Sequence, residues 1–393
     1  MKYNFDEIIT REGTNCLKYD KREEFFGTND ILPMWIADMD FRAPDCIYKS
    51  LRERVEHGVY GYTFISPKWK PAIIDWNKRR YGWEINEEHI GYVSGIVPAI
   101  SFIIQCFSNE GDKILIQPPV YHPYFHVTEA LKRTVVTNSL QFIDGEYKID
   151  FADFENKAKE CKIFLLCHPH NPGGRVWRLD ELTRIADICA RYNVLVVSDE
   201  IHCDMTLKGY EHIPYASINK DAEQHSITLM AASKTFNIAG LKSSYHVIPN
   251  DDIRSRYNDF LSKGELNFAS LFATETVATA YNEGEEWLKQ MLEYVEGNID
   301  YMQKFLKEKM SLLSMMRPQA SYLVFLDARA LNLSQERLVE FFVNEAKVGL
   351  NDGASFGKEG SGFMRMNVGC PRATLKEALE RIESAYNKLL GNN

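Results

Sequence analysis

ITLMAASKTFNIAGLK, residues 227–242, places one lysine, Lys234, directly after an apolar run that closes with small residues. A second cation, Lys242, follows eight positions later. A lysine at a strand end usually lays its stem along apolar surface and keeps its ammonium group in water. The small neighbours also fit a confined amine that faces an anion. The segments around this stretch have to distinguish the two interpretations.

Three short apolar runs in this part of the chain are predicted to be strands. They are KIFLLC at residues 162–167, VLVV at 194–197 and ITLM at 227–230. Alternation of such strands with helices is typical of a parallel sheet that helices cover on both faces. Ligands of these sheets bind beyond the carboxyl ends of the strands. Asn171, Asp199 and Lys234 follow the three strands, so we expect them to lie together.

A turn at residues 94–95 offers a possible anion site. The stretch HIGYVSGIVPAISF predicts a strand that ends at Val93 and a helix that begins near Pro98. The NH groups of Gly95, Ile96 and Val97 would then point away from the helix, where they can bind a phosphate or a carboxylate. Most strand-to-helix turns bind nothing, so this feature is weak evidence when it stands alone.

Two further side chains are candidates for ligand contacts. Tyr121 lies in PPVYHPYF, where three prolines stiffen the chain and present the ring as a stacking surface. A tyrosine packed on proline is also common without a ligand. In GFMRMNV, residues 362–368, a period of two places Met364 and Met366 on one face and Arg365 on the other. Arg365 therefore points toward solvent or toward a ligand carboxylate.

The segment MWIADMDFRAP, residues 34–44, is rich in aspartate and aromatic side chains. Its Trp35 and Asp38 either line a site or hold an N-terminal arm against the body of the protein. Three histidines near strand ends, His168, His170 and His202, suggest a metal site as an alternative. No HExxH spacing accompanies them, and we therefore do not expect a metal.

Length and composition limit the class of protein. A chain of 393 residues exceeds the size at which one core usually stops growing, so two domains are expected. We assign residues 1–44 to an N-terminal arm and part of a small domain, 45–285 to a large domain and 286–393 to the small C-terminal domain. The net charge of −9, without a run of five like charges, argues against nucleic-acid and membrane surfaces.

The sequence also bears on the cellular compartment of the protein. No apolar stretch reaches the roughly 18 to 20 residues that span a bilayer, and the N-terminus lacks an apolar signal core. The eight cysteines include no CxxC pair, and several lie in apolar runs where a buried, reduced thiol is usual. We expect a cytoplasmic protein with small-molecule partners.

Pyridoxal 5'-phosphate would satisfy the whole set of candidate residues. Its aldehyde needs a lysine amine, its ring nitrogen a carboxylate, and its phosphate needs backbone donors and cations. Lys234 and Asp199 meet the first two needs, and the turn at 94–97 with Ser233 and Lys242 meets the third. The remaining assignments are Asn171 as donor to the ring oxygen, Tyr121 as stacking ring and Arg365 as clamp for an amino-acid carboxylate.

The motifs HNPGGRVW, SDEIHCD and SKTFNIAGLK, in this order, resemble the class I/II aminotransferase superfamily of fold type I over nearly the whole chain. WIADMDF, GYT, PVYHPYF and GFMRMNVGCP are similar, more narrowly, to its MalY/PatB branch of carbon–sulfur lyases, which includes cystathionine β-lyase and cystalysin. The resemblance implies an α/β fold with a mainly parallel seven-stranded sheet covered by helices, plus a smaller α+β domain.

The resemblance also implies roles for single residues. The catalytic set is Lys234, Asp199 and Tyr121. Cofactor contacts are implied for Gly95, Ile96, Val97, Asn171, His202, Ser233 and Lys242, and for Tyr62 from the other subunit of a homodimer with shared active sites. Substrate contacts are implied for Arg365, Trp35 and Asp38.

Three positions depart from the family pattern. Ala231 replaces a serine of many relatives, and Lys242 replaces an arginine of transaminases, so fewer groups remain for the phosphate. His122 stands where cystalysin has a second tyrosine, which leaves its role open.

The implied reaction is α,β-elimination from cystathionine, cysteine or related S-conjugates, which gives pyruvate, ammonia and a thiol. An aminotransferase with the same residues is one alternative. A lyase with an added regulatory, protein-binding role is the other.

Overall fold

Two sheets of different size organise the chain in the computed structural model, which describes residues 3–391. The α-helices are α1 (Leu17–Asp20), α2 (Arg22–Phe26), α3 (Asp45–Glu56), α4 (Trp69–Tyr81), α5 (Ile96–Phe107), α6 (Pro123–Ala130), α7 (Phe151–Ala158), α8 (Leu179–Arg191), α9 (Lys220–Gln224), α10 (Ala232–Thr235), α11 (Asp251–Lys263), α12 (Ala273–Glu283), α13 (Glu285–Lys309), α14 (Gln335–Glu340) and α15 (Arg372–Leu389). A π-helical turn, Phe341–Glu345, continues α14. None of these helices is long and apolar enough to cross a membrane.

The strands are short, as parallel and mixed sheets in α/β proteins require. They are β1 (Leu32–Pro33), β2 (Ile90–Val93), β3 (Lys113–Ile116), β4 (Thr134–Thr137), β5 (Gln141–Ile143), β6 (Glu146–Lys148), β7 (Cys161–Cys167), β8 (Leu195–Asp199), β9 (Ser226–Ala231), β10 (Ser244–Val247), β11 (Ser314–Met316), β12 (Leu323–Asp327), β13 (Val348–Gly349), β14 (Asn351–Asp352) and β15 (Phe363–Asn367).

The large sheet has seven strands in the order β2-β10-β9-β8-β7-β3-β4. Only β10 runs against its neighbours, and the other pairs are parallel. All six residues of β9 are buried, because helices cover both faces of a parallel sheet. The predicted α/β fold with a mainly parallel seven-stranded sheet is confirmed.

The register of the central strands brings their carboxyl ends to one edge. Cys167, the last residue of β7, pairs with Asp199, the last residue of β8, and Asp199 pairs with Leu229 of β9. The loop with Asn171 and the one-turn helix α10 with Lys234 follow directly. The topology therefore collects the polar residues that end three successive strands.

The smaller sheet is antiparallel, in the order β11-β12-β15-β14. Phe325 of β12 lies opposite Arg365 of β15, and Phe325 stacks on Phe363 with ring centroids 4.7 Å apart. Helices α13 and α15 pack against each other beside this sheet. The predicted domain boundaries at 44/45 and 285/286 remain predictions.

Three local features differ from the sequence predictions. Helix α5 begins at Ile96, not near Pro98, because proline is tolerated in a first turn whose NH groups have no helical partner. Strands β5 and β6 form a hairpin that was not predicted from the sequence. Its Asp144-Gly145 turn has positive φ angles of 54° and 80°, which is the usual hairpin signal. Strand β10 was not predicted, since its four residues lack a clear pattern.

An irregular segment, residues 35–41, connects the parts of the fold. The Asn237 side chain accepts from the Met39 NH at 2.9 Å and donates to the carbonyls of Met39 and Phe41, each at 2.8 Å. Asn237 itself has a φ of 58°, which asparagine tolerates better than most residues. One side chain thus holds the segment beside the turn that follows Lys234.

We expect Asn237→Ala to lower the free energy of unfolding by about 2–4 kcal/mol, because three hydrogen bonds are lost at a half-buried position. Urea unfolding followed by tryptophan fluorescence measures the change. Asn332→Ala is the matched control, since Asn332 is exposed and has a φ of 54°. The control is expected to cost about 1 kcal/mol or less. If the two variants lost equal free energy of unfolding, the loss in Asn237→Ala would come from backbone conformation alone and not from the three hydrogen bonds.

Candidate active site

One cavity of about 230 Å³ lies at the carboxyl edge of the large sheet. It is lined by nearly all residues that were predicted to hold a cofactor. These are Gly95, Ile96, Val97, Tyr121, Asn171, Asp199, His202, Ser233, Lys234 and Lys242. The exception is Tyr62, whose side chain is fully exposed on the surface.

The Lys234 amine is confined within this cavity. Its Nζ donates a hydrogen bond to the carbonyl oxygen of Ala37 at 2.5 Å. Burial lowers the pKa of Lys234 to about 8, while Asp38 and Asp199 oppose the shift and Arg365 adds to it. A substantial fraction of the amine is therefore neutral near physiological pH. The surface interpretation, with the ammonium group in water, is wrong.

Asp199 is a buried carboxylate with two hydrogen bonds. Its Oδ2 accepts from the Tyr124 hydroxyl at 2.9 Å, and its Oδ1 accepts from the Ile201 NH at 3.2 Å. Burial raises the pKa of Asp199 to about 6, and the two hydrogen bonds limit the rise. The group is thus mostly ionised at neutral pH without a bound cation. A protonated ring nitrogen would match it.

Arg365 is buried and lies over the Phe356 ring, with 4.9 Å from its central carbon to the ring centroid. Its Nη1 donates to Asn171 Oδ1 at 3.1 Å, and its Nη2 donates to the Trp35 carbonyl at 3.1 Å and to Asn351 Oδ1 at 2.6 Å. Burial lowers its pKa to about 10. The solvent-facing interpretation is wrong.

Two unused donors remain around this arginine. The Nε of Arg365 is buried and has no hydrogen-bond partner within the described residues. The Asn171 amide uses its oxygen for Arg365, so its NH₂ group remains available for a second acceptor. A carboxylate beside Arg365 and a ring oxygen beside Asn171 would satisfy both.

The part of the cavity wall that the start of α5 forms suits an anion. Gly95, Ile96 and Val97 begin helix α5, whose first NH groups lack helical partners. The Ser233 side chain is buried beside them, and Lys242 has a left-handed backbone with a φ of 56°. Ala231, the buried last residue of β9, contributes no hydroxyl group. Backbone groups therefore supply much of the binding capacity here.

The predicted substrate residues contact the site through different groups. Trp35 binds Arg365 through its carbonyl, while its indole packs against Phe25 and Phe26 at 4.7 and 5.2 Å between ring centroids. Asp38 forms a two-pronged pair with Arg11 at 3.0 and 2.7 Å. Both residues help to hold the arm, and Asp38 acts on Lys234 through its charge.

The histidines near strand ends serve as buried neutral groups. Burial lowers the pKa of His168, His170 and His202 to about 3. His168 Nε2 and His170 Nε2 each lie 2.9 Å from a backbone carbonyl oxygen. Within residues 3–391 no group of three or more histidines, cysteines and acidic residues is arranged to hold a metal.

Three contributors to the site were not predicted from the sequence. Tyr124 lies three residues after Tyr121 in the same rigid stretch, so its contact with Asp199 could have been suspected. Cys167 lines the cavity from the end of β7. The Ala37 carbonyl is a backbone acceptor, and no residue type marks such a group in a sequence.

The residues present fit pyridoxal phosphate. The cavity combines a confined amine, a buried carboxylate, a free amide donor and helix-terminal NH groups. The orphaned Nε of Arg365 adds a place for a substrate carboxylate. The Lys234 amine and the Asp199 carboxylate each have protein hydrogen-bond partners, and the cofactor would add an aldehyde for the amine and a ring nitrogen for the carboxylate.

Comparison with known proteins agrees with this chemistry. The family model for aminotransferase class I and II matches residues 31–382. The chain is 42% identical over 386 residues to cystathionine β-lyase PatB of Bacillus subtilis (strain 168), covering 98% of this chain and 100% of PatB. It is 34% identical to protein MalY of Escherichia coli (strain K12), covering 98% of each.

A solved structure gives the same result in three dimensions. Cystalysin from Treponema denticola, whose crystal structure contains a pyridoxal 5'-phosphate cofactor, superposes with a TM-score of 0.95 at 33% identity. The match covers 99% of this chain and 100% of cystalysin. The similarity therefore includes both sheets and the cavity.

We expect Tyr124→Phe to raise the pKa of Asp199 above about 6, by roughly one unit, because one hydrogen bond to the carboxylate is lost. Infrared spectroscopy of cofactor-free protein measures this through the band of the protonated carboxyl group. The band is assigned by its absence in Asp199→Asn. Tyr257→Phe, at a buried tyrosine on α11, is the control and should leave the band unchanged. An unshifted titration in Tyr124→Phe would contradict the expectation.

Proposed function

The chain belongs to the class I and II aminotransferase family, and from that premise we propose that it is a pyridoxal-phosphate-dependent carbon–sulfur lyase. It cleaves cystathionine, cysteine or related S-conjugates by α,β-elimination to pyruvate, ammonia and a thiol. The observation that carries the proposal is the common cavity of Lys234, Asp199 and Asn171 beside the α5 terminus. Similarity to cystathionine β-lyase and cystalysin along nearly the whole chain supports the lyase over other activities.

Each part of the cofactor has a proposed partner. Asp199 would face the ring nitrogen, Asn171 the ring oxygen and Tyr121 the ring face, while the first NH groups of α5 would bind the phosphate together with Ser233 and Lys242. When bound, the cofactor supplies an aldehyde for amine exchange and a ring that withdraws electrons from the substrate's α-carbon. The remaining chemistry belongs to side chains of the protein.

Lys234 is the proposed base. With a pKa of about 8, about half of its free amine is neutral near pH 8, so it can accept the α-proton of the substrate. The Ala37 carbonyl takes one N–H of that amine and restricts its orientation. A fully exposed lysine would be almost entirely protonated at this pH and could not act in the same way.

Asp199 and Arg365 set the charges on either side of the reaction. Asp199 would supply a negative charge to the ring nitrogen of a bound cofactor, and the hydrogen bond from Tyr124 helps the carboxylate to retain that charge. Arg365 would hold the substrate carboxylate through the donors that its protein partners leave free. Arg365 would thereby restrict the orientation of the substrate, and the Lys234 amine would accept its α-proton.

A homodimer with shared active sites completes the proposal. Exposed aromatic residues cluster on α3 and the segment after it: Tyr48, Tyr60, Tyr62 and Phe64. Large exposed apolar side chains in one stretch of the chain are consistent with a protein interface. Tyr62 would cross this interface and reach the phosphate in the neighbouring subunit.

We expect Lys234→Ala to abolish elimination, with at least a ~10³-fold loss of turnover, because the amine that moves the proton is removed. The assay follows pyruvate and free thiol from cystathionine or cysteine. Lys208→Ala, at a surface loop, is the control and should retain wild-type turnover. Elimination by Lys234→Ala at the wild-type rate would contradict the assignment.

The same assay separates the lyase from an aminotransferase. A lyase forms pyruvate and thiol from the wild-type protein without any added oxo-acid. Product that appears only when an oxo-acid acceptor is present would replace the lyase with the aminotransferase.

The shared site is tested with hybrid dimers of Lys234→Ala and Tyr62→Ala chains, co-expressed with two tags. Each parent is expected to be inactive at a limiting cofactor concentration. The hybrid has one site in which an intact Lys234 meets an intact Tyr62 across the interface, so about half of the wild-type activity should return. A hybrid no more active than the mean of its parents would show that Tyr62 does not act across subunits.

A further inference from the structure

The carbonyl oxygen of Ala37 receives hydrogen bonds from both sheets of the fold. Lys234 Nζ, from the helix that follows β9, donates at 2.5 Å. The hydroxyl of Tyr322, the residue before β12 in the smaller sheet, donates at 3.0 Å. Tyr322 is 1% exposed. One backbone oxygen therefore connects Lys234, which follows the large sheet's strand β9, with Tyr322, a buried tyrosine that precedes β12 of the small sheet.

The neighbouring peptide groups hold this oxygen in place. Asn367 Nδ2 donates to the carbonyls of Ile36 and Asp38, each at 2.6 Å, so the peptide groups on both sides of Ala37 are bound. The Val368 NH donates to the Tyr322 carbonyl at 2.8 Å, which fixes the tyrosine backbone to β15. The geometry around the Ala37 oxygen is thus set by the small sheet.

A carbonyl oxygen only accepts hydrogen bonds, so Lys234 and Tyr322 must both donate to it. When the lysine amine is neutral, one N–H points at Ala37 and the lone pair points elsewhere. The second donor, Tyr322, withdraws electron density from the oxygen and presents a positive hydrogen near the amine. Both effects weaken the hold of the oxygen on an ammonium proton.

We propose that Tyr322 is a positioning residue for the Lys234 amine: its hydroxyl anchors the Ala37 carbonyl and reduces the affinity of that amine for its proton. The inference rests on the proposed function in one respect, that a neutral Lys234 amine is the useful form. The hydrogen bonds that it uses are independent of any reaction.

Other charged groups face the same amine and have to be considered. Asp38 and Asp199 favour the ammonium form, whereas Arg365 and burial disfavour it. His202 also lies within electrostatic reach of Lys234 but is neutral. Tyr322 differs from all of them because it acts through the oxygen that Lys234 contacts directly.

The test uses cofactor-free protein, in which the Lys234 amine titrates freely. An amine-acylating reagent is applied at a series of pH values, and mass spectrometry of the Lys234 peptide reports the labelling rate. In Tyr322→Phe we expect the midpoint of labelling to rise by about one pH unit, because the oxygen then accepts more strongly from the ammonium group. The ring of phenylalanine retains the packing.

A second substitution is expected to shift the midpoint of labelling in the opposite direction. Replacing Tyr322 with 3-fluorotyrosine keeps the hydroxyl and makes it a stronger donor, so the midpoint should fall below that of the wild type. Tyr386→Phe, at a buried tyrosine on α15, is the control and should not shift the midpoint. Thermal unfolding of each variant identifies any that fails to fold, in which case the fluorotyrosine protein decides the question.

The outcomes are distinguishable. An unchanged midpoint in Tyr322→Phe, or shifts of the same sign in both variants, would overturn the positioning role. Opposite shifts in a protein that fails to eliminate thiol from cystathionine or cysteine would support the positioning role and remove the proposed function. Labelling does not require the cofactor, so the two conclusions are independent.

Discussion

Two cations of the site, the partly buried Lys234 and the buried Arg365, bind one short backbone segment, and the geometry of the site depends on this arrangement. Lys234 donates to the carbonyl of Ala37 and Arg365 to that of Trp35, so two residues of one short segment bind cations from α10 and from β15. Within residues 3–391 neither Lys234 nor Arg365 forms a salt bridge, and both donate to backbone carbonyls instead. Backbone carbonyls bind protons less strongly than carboxylates do. This explains why burial can lower the pKa of both groups.

The segment of residues 35–41 can position Lys234 and Arg365 only if the segment is itself held in place. Arg11 pairs with Asp38 and Asp40, each at 2.7 Å, and the fully buried Lys18 pairs with Asp40 at 2.8 Å. A buried charge pair contributes little to stability, but removing one partner is costly. The N-terminal arm therefore docks in one arrangement, and Asn237 and Asn367 hold the same segment from the two sheets. The arm belongs to the active site although it contributes few side chains to the cavity.

The sequence predicted the large sheet well because buried parallel strands are continuous apolar runs, and their polar ends identified Asn171, Asp199 and Lys234. Contacts made by the backbone could not be predicted, since the Ala37 carbonyl has no residue-specific pattern. The burial of Arg365 could not be predicted either. An alternating strand pattern shows which side chains share a face, but it does not show what packs against the face that carries Arg365. The β5–β6 hairpin was missed although its Asp-Gly turn was visible.

The electrostatics of the cavity explain why it should bind its cofactor tightly. Burial raises the pKa of Asp199 to about 6 and lowers that of Lys234 to about 8, so each ionised group is less stable here than in water. Arg365 has an unpaired buried Nε, which carries a similar desolvation cost. Packing elsewhere in the two sheets offsets the unfavourable burial of these three side chains. A ligand with a cationic ring nitrogen, a phosphate and an amine-reactive carbonyl relieves the first two costs, and a substrate carboxylate relieves the third. The binding energy at this site therefore comes in large part from the relief of unfavourable interactions that are present in the protein before the ligand binds.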